Sequence, residues 1–214
     1  MTSANPLRRD VPPSLHALYL KQQPTNRADE CVFLVHSTIS GPVVTEAGAP
    51  QTIWTEVHVA ENTLDFQVLW TDKRATRLTE SIFFSFVPSN PTGAKSEGVN
   101  TEWKASVLNI TQDPTTVFAG PNKYGGSPHL RGVDHVEYCP KDLAGKCVKI
   151  SSLDVPIVSF GTANPFPTPR TEAPDMNGGV HFNILNNVWN TNYVLWYPFN
   201  DRDSSSKFRF RIEL

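Results

Sequence analysis

A chain of 214 residues can bury a substantial core, as one large domain or two small ones. Its formal charge of −2 excludes a general binder of nucleic acid or anionic membrane surfaces, and no apolar run approaches the roughly 20 residues a membrane span requires. Eighteen Pro and twelve Phe suit a loop-rich β protein better than a helical one.

In chain order, residues 1–30 are polar and Pro-broken, with a short helix expected around Ser14 to Lys21 and no apolar signal core. They read as a poorly packed leader to a single domain over 31–214. Cys31 to His36 is a short apolar strand, and Cys31 is expected in the core. Thr52 to Val59 and Leu64 to Trp70 alternate and are separated by Glu61-Asn62, which predicts a hairpin. Thr71 to Thr79 carries the basic cluster Lys73, Arg74 and Arg77 and leads into an aromatic strand over Glu80 to Val87. Pro88 to Asn100 is loop, and Thr101 to Ile110 and Thr115 to Phe118 are strand candidates. Gly120 to Arg131 is a long loop. Val133–Tyr138 and Val148–Ser151 flank a hairpin tip, and Asp154 to Phe160 is a further strand.

Val180 to Leu185 places Phe182 and Ile184 on one strand face and His181 and Asn183 on the other. Asn186 to Asn192 gathers four Asn around Trp189, a turn built from residues that tolerate left-handed backbone. Tyr193 to Tyr197 is apolar throughout. The last eight residues alternate, with Phe208, Phe210, Ile212 and Leu214 inward. The sum is an all-β fold, an antiparallel β-sandwich of about eleven strands with at most one short helix.

Three Cys is an odd count. Cys139 and Cys147 sit at the neck of the hairpin and read either as a cross-hairpin disulfide, implying an oxidising compartment, or as two free thiols. Asn109-Ile110-Thr111 is a glycosylation sequon that carries weight only in a secreted protein.

A glycosidase needs two carboxylates about 5–10 Å apart. Here Asp and Glu are scattered singly, so no catalytic residues are assigned. The six His form no metal-ligand pair, no cofactor motif is present, and no nucleophile motif appears. Sugar binding is the chemistry that remains. Hydroxyl-rich ligands need amides for paired hydrogen bonds and an aromatic face for the C–H side of the ring. Asn183, Asn186, Asn187, Trp189 and Asn192 supply those types, with His181 beside them and Arg77, Glu80, His129 and Arg131 on neighbouring segments. The structural alternative is that the amides cap a tight corner and Trp189 plugs the sandwich edge.

Several segments together resemble a known pattern: Thr71 through Phe86, Ser152 to Val158, Gly178 to Asn183, Trp189 to Asn192, and Phe208 to Phe210. In this order they are similar to the C-terminal β region of α-mannosidase-like (family thirty-eight-like) glycoside hydrolases, a region often labelled a domain of unknown function. The pattern has Gly where this chain has Asn190. The resemblance implies a galactose-mutarotase-like super-sandwich, non-catalytic here, that supports a glycosidase catalytic domain absent from these residues and contacts carbohydrate. The alternatives are a standalone lectin-like module and an inactive fragment of a truncated gene. The absence of an apolar signal core points inside the cell, whereas Cys139, Cys147 and the sequon point outside, and the sequence leaves the compartment open.

Overall fold

The computed structural model describes residues 9–21, 30–76, 79–88, 101–112, 129–140, 146–165, 174–187 and 205–214. These residues form an all-β protein: thirteen strands in two sheets and one α-helix of four residues. None of their helices is long and apolar enough to cross a membrane. The chain divides into two compact units, Met1–Glu80 with Asn187–Phe210, and Ser81–Asn186 with Arg211–Leu214. Thr115 to Phe118, Tyr193 to Tyr197 and the turn around Trp189 lie outside the described residues.

The first unit is an antiparallel meander of β1 (Ser14–Lys21), β2 (Cys31–Thr38), β3 (Thr52–Ala60) and β4 (Thr63–Trp70), with the last strand β13 (Ser206–Glu213) beside β4. The helix α1 (Pro42–Thr45) lies between β2 and β3. The expected hairpin closes over Glu61-Asn62, with Ala60 opposite Thr63.

The helix expected over Ser14 to Lys21 is instead a strand. Leu and Ala favour helix locally, but this segment pairs with β2 from Ser14–Thr38 to Lys21–Val32, and tertiary pairing overrides a weak propensity. A β-bulge between Leu15 and Ala17 changes its side-chain parity. Leu15, Leu18 and Leu20 consequently share the face that carries Phe33, Val35, Val57, Phe66 and Val68. The opposite face carries Tyr19, His36 and Trp54, with the last two rings stacked at 4.1 Å. Trp70 is buried at the end of β4 against Phe208, ring centroids 5.3 Å apart.

The second unit is a sandwich of two four-stranded layers. One runs β10 (Val148–Ser152), β9 (Val133–Pro140), β6 (Thr101–Val107), β7 (Ile110–Gln112); the other runs β5 (Glu80–Phe86), β12 (Val180–Asn187), β11 (Ile157–Phe160), β8 (His129–Arg131). Between them sit Trp103, Val136, Val158, Phe160, Val180 and Phe182, each at most 2% exposed. Trp103 meets Phe160 edge-on at 5.8 Å, and its Nε1 donates to the Met176 carbonyl at 3.1 Å. Burying these side chains contributes about 1.5–3 kcal/mol each.

Two sequence expectations shift in this unit. The strand expected over Thr101 to Ile110 is cut by a tight turn at Leu108-Asn109, both in left-handed backbone, into β6 and β7. The loop expected over Gly120 to Arg131 ends in a strand, β8. The hairpin of β9 and β10 is as expected, and Cys139 and Cys147 are joined by a disulfide, Cα atoms 4.3 Å apart. Cys31 is a free thiol, half-buried.

Three glycines let backbones touch in this unit. A Cβ on Gly178 would lie 1.9 Å from the Gly161 carbonyl oxygen, and one on Gly179 2.3 Å from that of Phe86. Gly161 and Gly179 also adopt φ of +79° and +85°, open to glycine at no steric cost.

Candidate functional site

The sheet β5–β12–β11–β8 has two unlike faces, and the alternation of its strands assigns them. Phe182, Val158 and Leu130 lie opposite one another and point into the core. The neighbours of each point the other way. Ser159 on β11 stands opposite both His181 on β12 and His129 on β8, so the three form a row across three strands. Ser85 on β5 extends the row, its Oγ 2.8 Å from His181 Nδ1.

This second face is polar and yet buried. Ser159 is 0% exposed, His129 6%, His181 7% and Asn183 8%. Part of the cover is the chain just after β11, whose carbonyls bond Ser159, His129 and Asn186. Ser159 Oγ donates to Thr162 at 3.1 Å, His129 Nε2 meets the Asn164 carbonyl, and Asn186 Nδ2 donates to Pro165 at 3.0 Å. Asn186 Oδ1 in turn accepts from Ser81 Oγ at 3.1 Å. Arg131 lies one residue pair along β8 from His129 and is exposed, so the face opens to water at that end.

Asn183 differs from the rest. It lies on β12 on the same face as His181, its side-chain oxygen and nitrogen are both buried, and neither has a hydrogen-bond partner among the described residues. A buried amide left unpaired costs about 1–3 kcal/mol per group.

The other candidates fall elsewhere. Glu80 and Asn187 belong to the first unit, in a cluster around Lys73, which is 1% exposed. Lys73 Nζ donates to the Gly48 carbonyl at 3.0 Å, the Arg74 carbonyl at 3.1 Å and Glu80 Oε1 at 2.7 Å, using its three protons. Glu80 also accepts from Thr76 Oγ1 at 3.5 Å, and Asn187 Nδ2 donates to the Thr76 carbonyl at 3.2 Å. Burial raises the Glu80 carboxyl above the usual carboxylate range, against the opposing pull of Lys73, Asn187 and Thr76. This cluster ties the segment after β4 to the loop at Gly48. It was not foreseen: Lys73 reads in sequence as one member of a basic patch, and only Glu80 seven residues on hints at a pair. Arg77, Trp189 and Asn192 lie outside the described residues.

Of the ten sequence candidates, the structure gathers His129, Arg131, His181, Asn183 and Asn186 on or beside one face. Sequence reasoning missed Ser85 and Ser159, which alternation alone marks only as polar positions on strands. The side chains named on this face are hydrogen-bond donors and acceptors. Among the described residues the one cluster with metal-ligand spacing is Glu137, Cys139 and Cys147, two of which share the disulfide.

No known protein family matches the chain, and comparison with curated proteins and with solved structures found no similar protein.

Proposed function

We propose that this chain is a non-catalytic accessory β-sandwich that binds carbohydrate, with the outer face of β5–β12–β11–β8 as its contact surface. The observation that supports this is Asn183, a buried amide whose donor and acceptor are both unmatched among the described residues, beside a row of Ser and His side chains. A pair of neighbouring sugar hydroxyls offers the complementary acceptor and donor, and the imidazoles and Arg131 add further polar partners. In this reading the chain serves an α-mannosidase-like hydrolase whose catalytic domain lies elsewhere. Leu15, Leu18 and Leu20, 59–66% exposed on one sheet face, favour packing against such a domain.

The test is calorimetric titration of the folded chain with mannosides and a panel of other sugars, repeated with Asn183→Leu. Wild type is expected to give saturable heat and the variant none, while the variant gains stability because a buried unpaired amide has been removed. Absence of heat from folded wild type, or equal affinity in the variant, overturns the assignment.

A further inference from the structure

We infer that Asn109 is an N-glycosylation site and that the protein passes through an oxidising compartment where glycans are transferred. Asn109-Ile110-Thr111 is the chain's one usable sequon, since Asn90-Pro91-Thr92 is blocked by its central Pro. The structure places this triplet at the tip of the β6–β7 hairpin. Asn109 occupies left-handed backbone with φ 64°, a conformation Asn tolerates better than most residues, and it is exposed.

The turn is held from below and leaves the side-chain amide outside. Asn109 N donates to Asp134 Oδ2 at 2.7 Å, Ser106 Oγ donates to the same oxygen at 3.2 Å, and Leu108 N donates to the Gly132 carbonyl at 3.2 Å. These bonds engage backbone and neighbours, not the Asn109 amide. On either side Leu108 and Ile110 are 73% and 64% exposed. Two large aliphatic side chains at a hairpin tip form an apolar spot that invites association, and the inner sugars of a glycan on Asn109 would cover it.

The second, independent observation is the Cys139–Cys147 disulfide in the same unit. Such bonds persist in the oxidising compartments where sequons are used, and not in a reducing cytosol. The chemistry is a transfer from a lipid-linked pyrophosphoryl oligosaccharide. The Asn109 Nδ2 attacks the anomeric carbon, the C–O bond to pyrophosphate breaks with its electron pair on the lipid pyrophosphate, and Nδ2 loses one proton. Thr111 supplies the hydroxyl that makes the triplet an acceptor. This glycan is covalent and separate from the carbohydrate face proposed above.

The experiment is secretion of the full chain from a eukaryotic host, followed by treatment with a glycan-releasing amidase. Wild type is expected to lose the mass of one glycan and to titrate with one free thiol, that of Cys31. Thr111→Ala and Asn109→Gly are expected to show no shift, the Gly variant keeping the left-handed turn, while Thr111→Ser keeps the shift. A disulfide-bonded wild-type chain without an amidase-sensitive glycan overturns the inference, as does a shift that survives in Thr111→Ala.

Discussion

Replacing Lys73 by Met removes the ammonium from the first unit's polar cluster and leaves the Glu80 carboxylate behind. At 2.7 Å and an effective dielectric of about 20, the attraction between the two is about 6 kcal/mol. Desolvation of two ions offsets several kcal/mol of this, so the intact pair contributes little net stability. Breaking it differs, because the surviving charge stays buried: the Glu80 side chain is 14% exposed and keeps only Thr76 and Asn187 as donors. Lys73→Met is therefore expected to cost about 4 kcal/mol at neutral pH, and Glu80→Gln about 2 kcal/mol, since Gln still accepts from Lys73. The double variant removes both charges and should lose about 3 kcal/mol less than the sum of the singles. Denaturant unfolding of all four proteins measures this coupling. Additivity within about 0.5 kcal/mol would refute the reasoning and make the contact incidental.

Protons enter the same cluster with a definite sign. The folded carboxyl of Glu80 lies above its unfolded value of about 4.3, so the folded state binds the proton more tightly. Its contribution is full below that pH and lost as pH rises through the folded value, and the stability of wild type relative to Glu80→Gln should fall over that window. Cys139→Ser opens a short covalent loop and is expected to cost about 2.5 kcal/mol of stability in the second unit, read by thermal unfolding against the disulfide-bonded wild type. Gly178→Ala drives a methyl into the Gly161 carbonyl and should destabilise by about 3 kcal/mol; an unchanged midpoint would mean that the two backbone segments are not in contact.

Much of the fold was legible because strand alternation and turn residues are local signals. The alternation of residues 207–214 survives in β13, where Phe210 is buried and Lys207, Arg209 and Arg211 are exposed, though Leu214 at the end is 66% exposed. Ser14 to Lys21 failed because its conformation is decided by β2, not by its own propensity. The site was legible by half. Alternation put His181 and Asn183 together on one strand face, but nothing in the local pattern says that a polar face will be covered. Part of that cover comes from residues 161–165, and Pro165, which accepts from Asn186, lies 21 positions away in sequence. Ser159 and His129 join His181 only through strand pairing, which is invisible in any single window.

The disulfide also governs what a broken backbone would do. Cys139 and Cys147 close the hairpin around Lys141, Asp142, Leu143 and their neighbours. A protease that cuts inside this loop leaves two polypeptides that remain one molecule, with β9 and β10 still paired and the ends unable to diffuse apart. Such a nick would be silent on a non-reducing gel and would yield two bands with reductant. The covalent bond, and not the peptide backbone, would then hold β9 and β10 together.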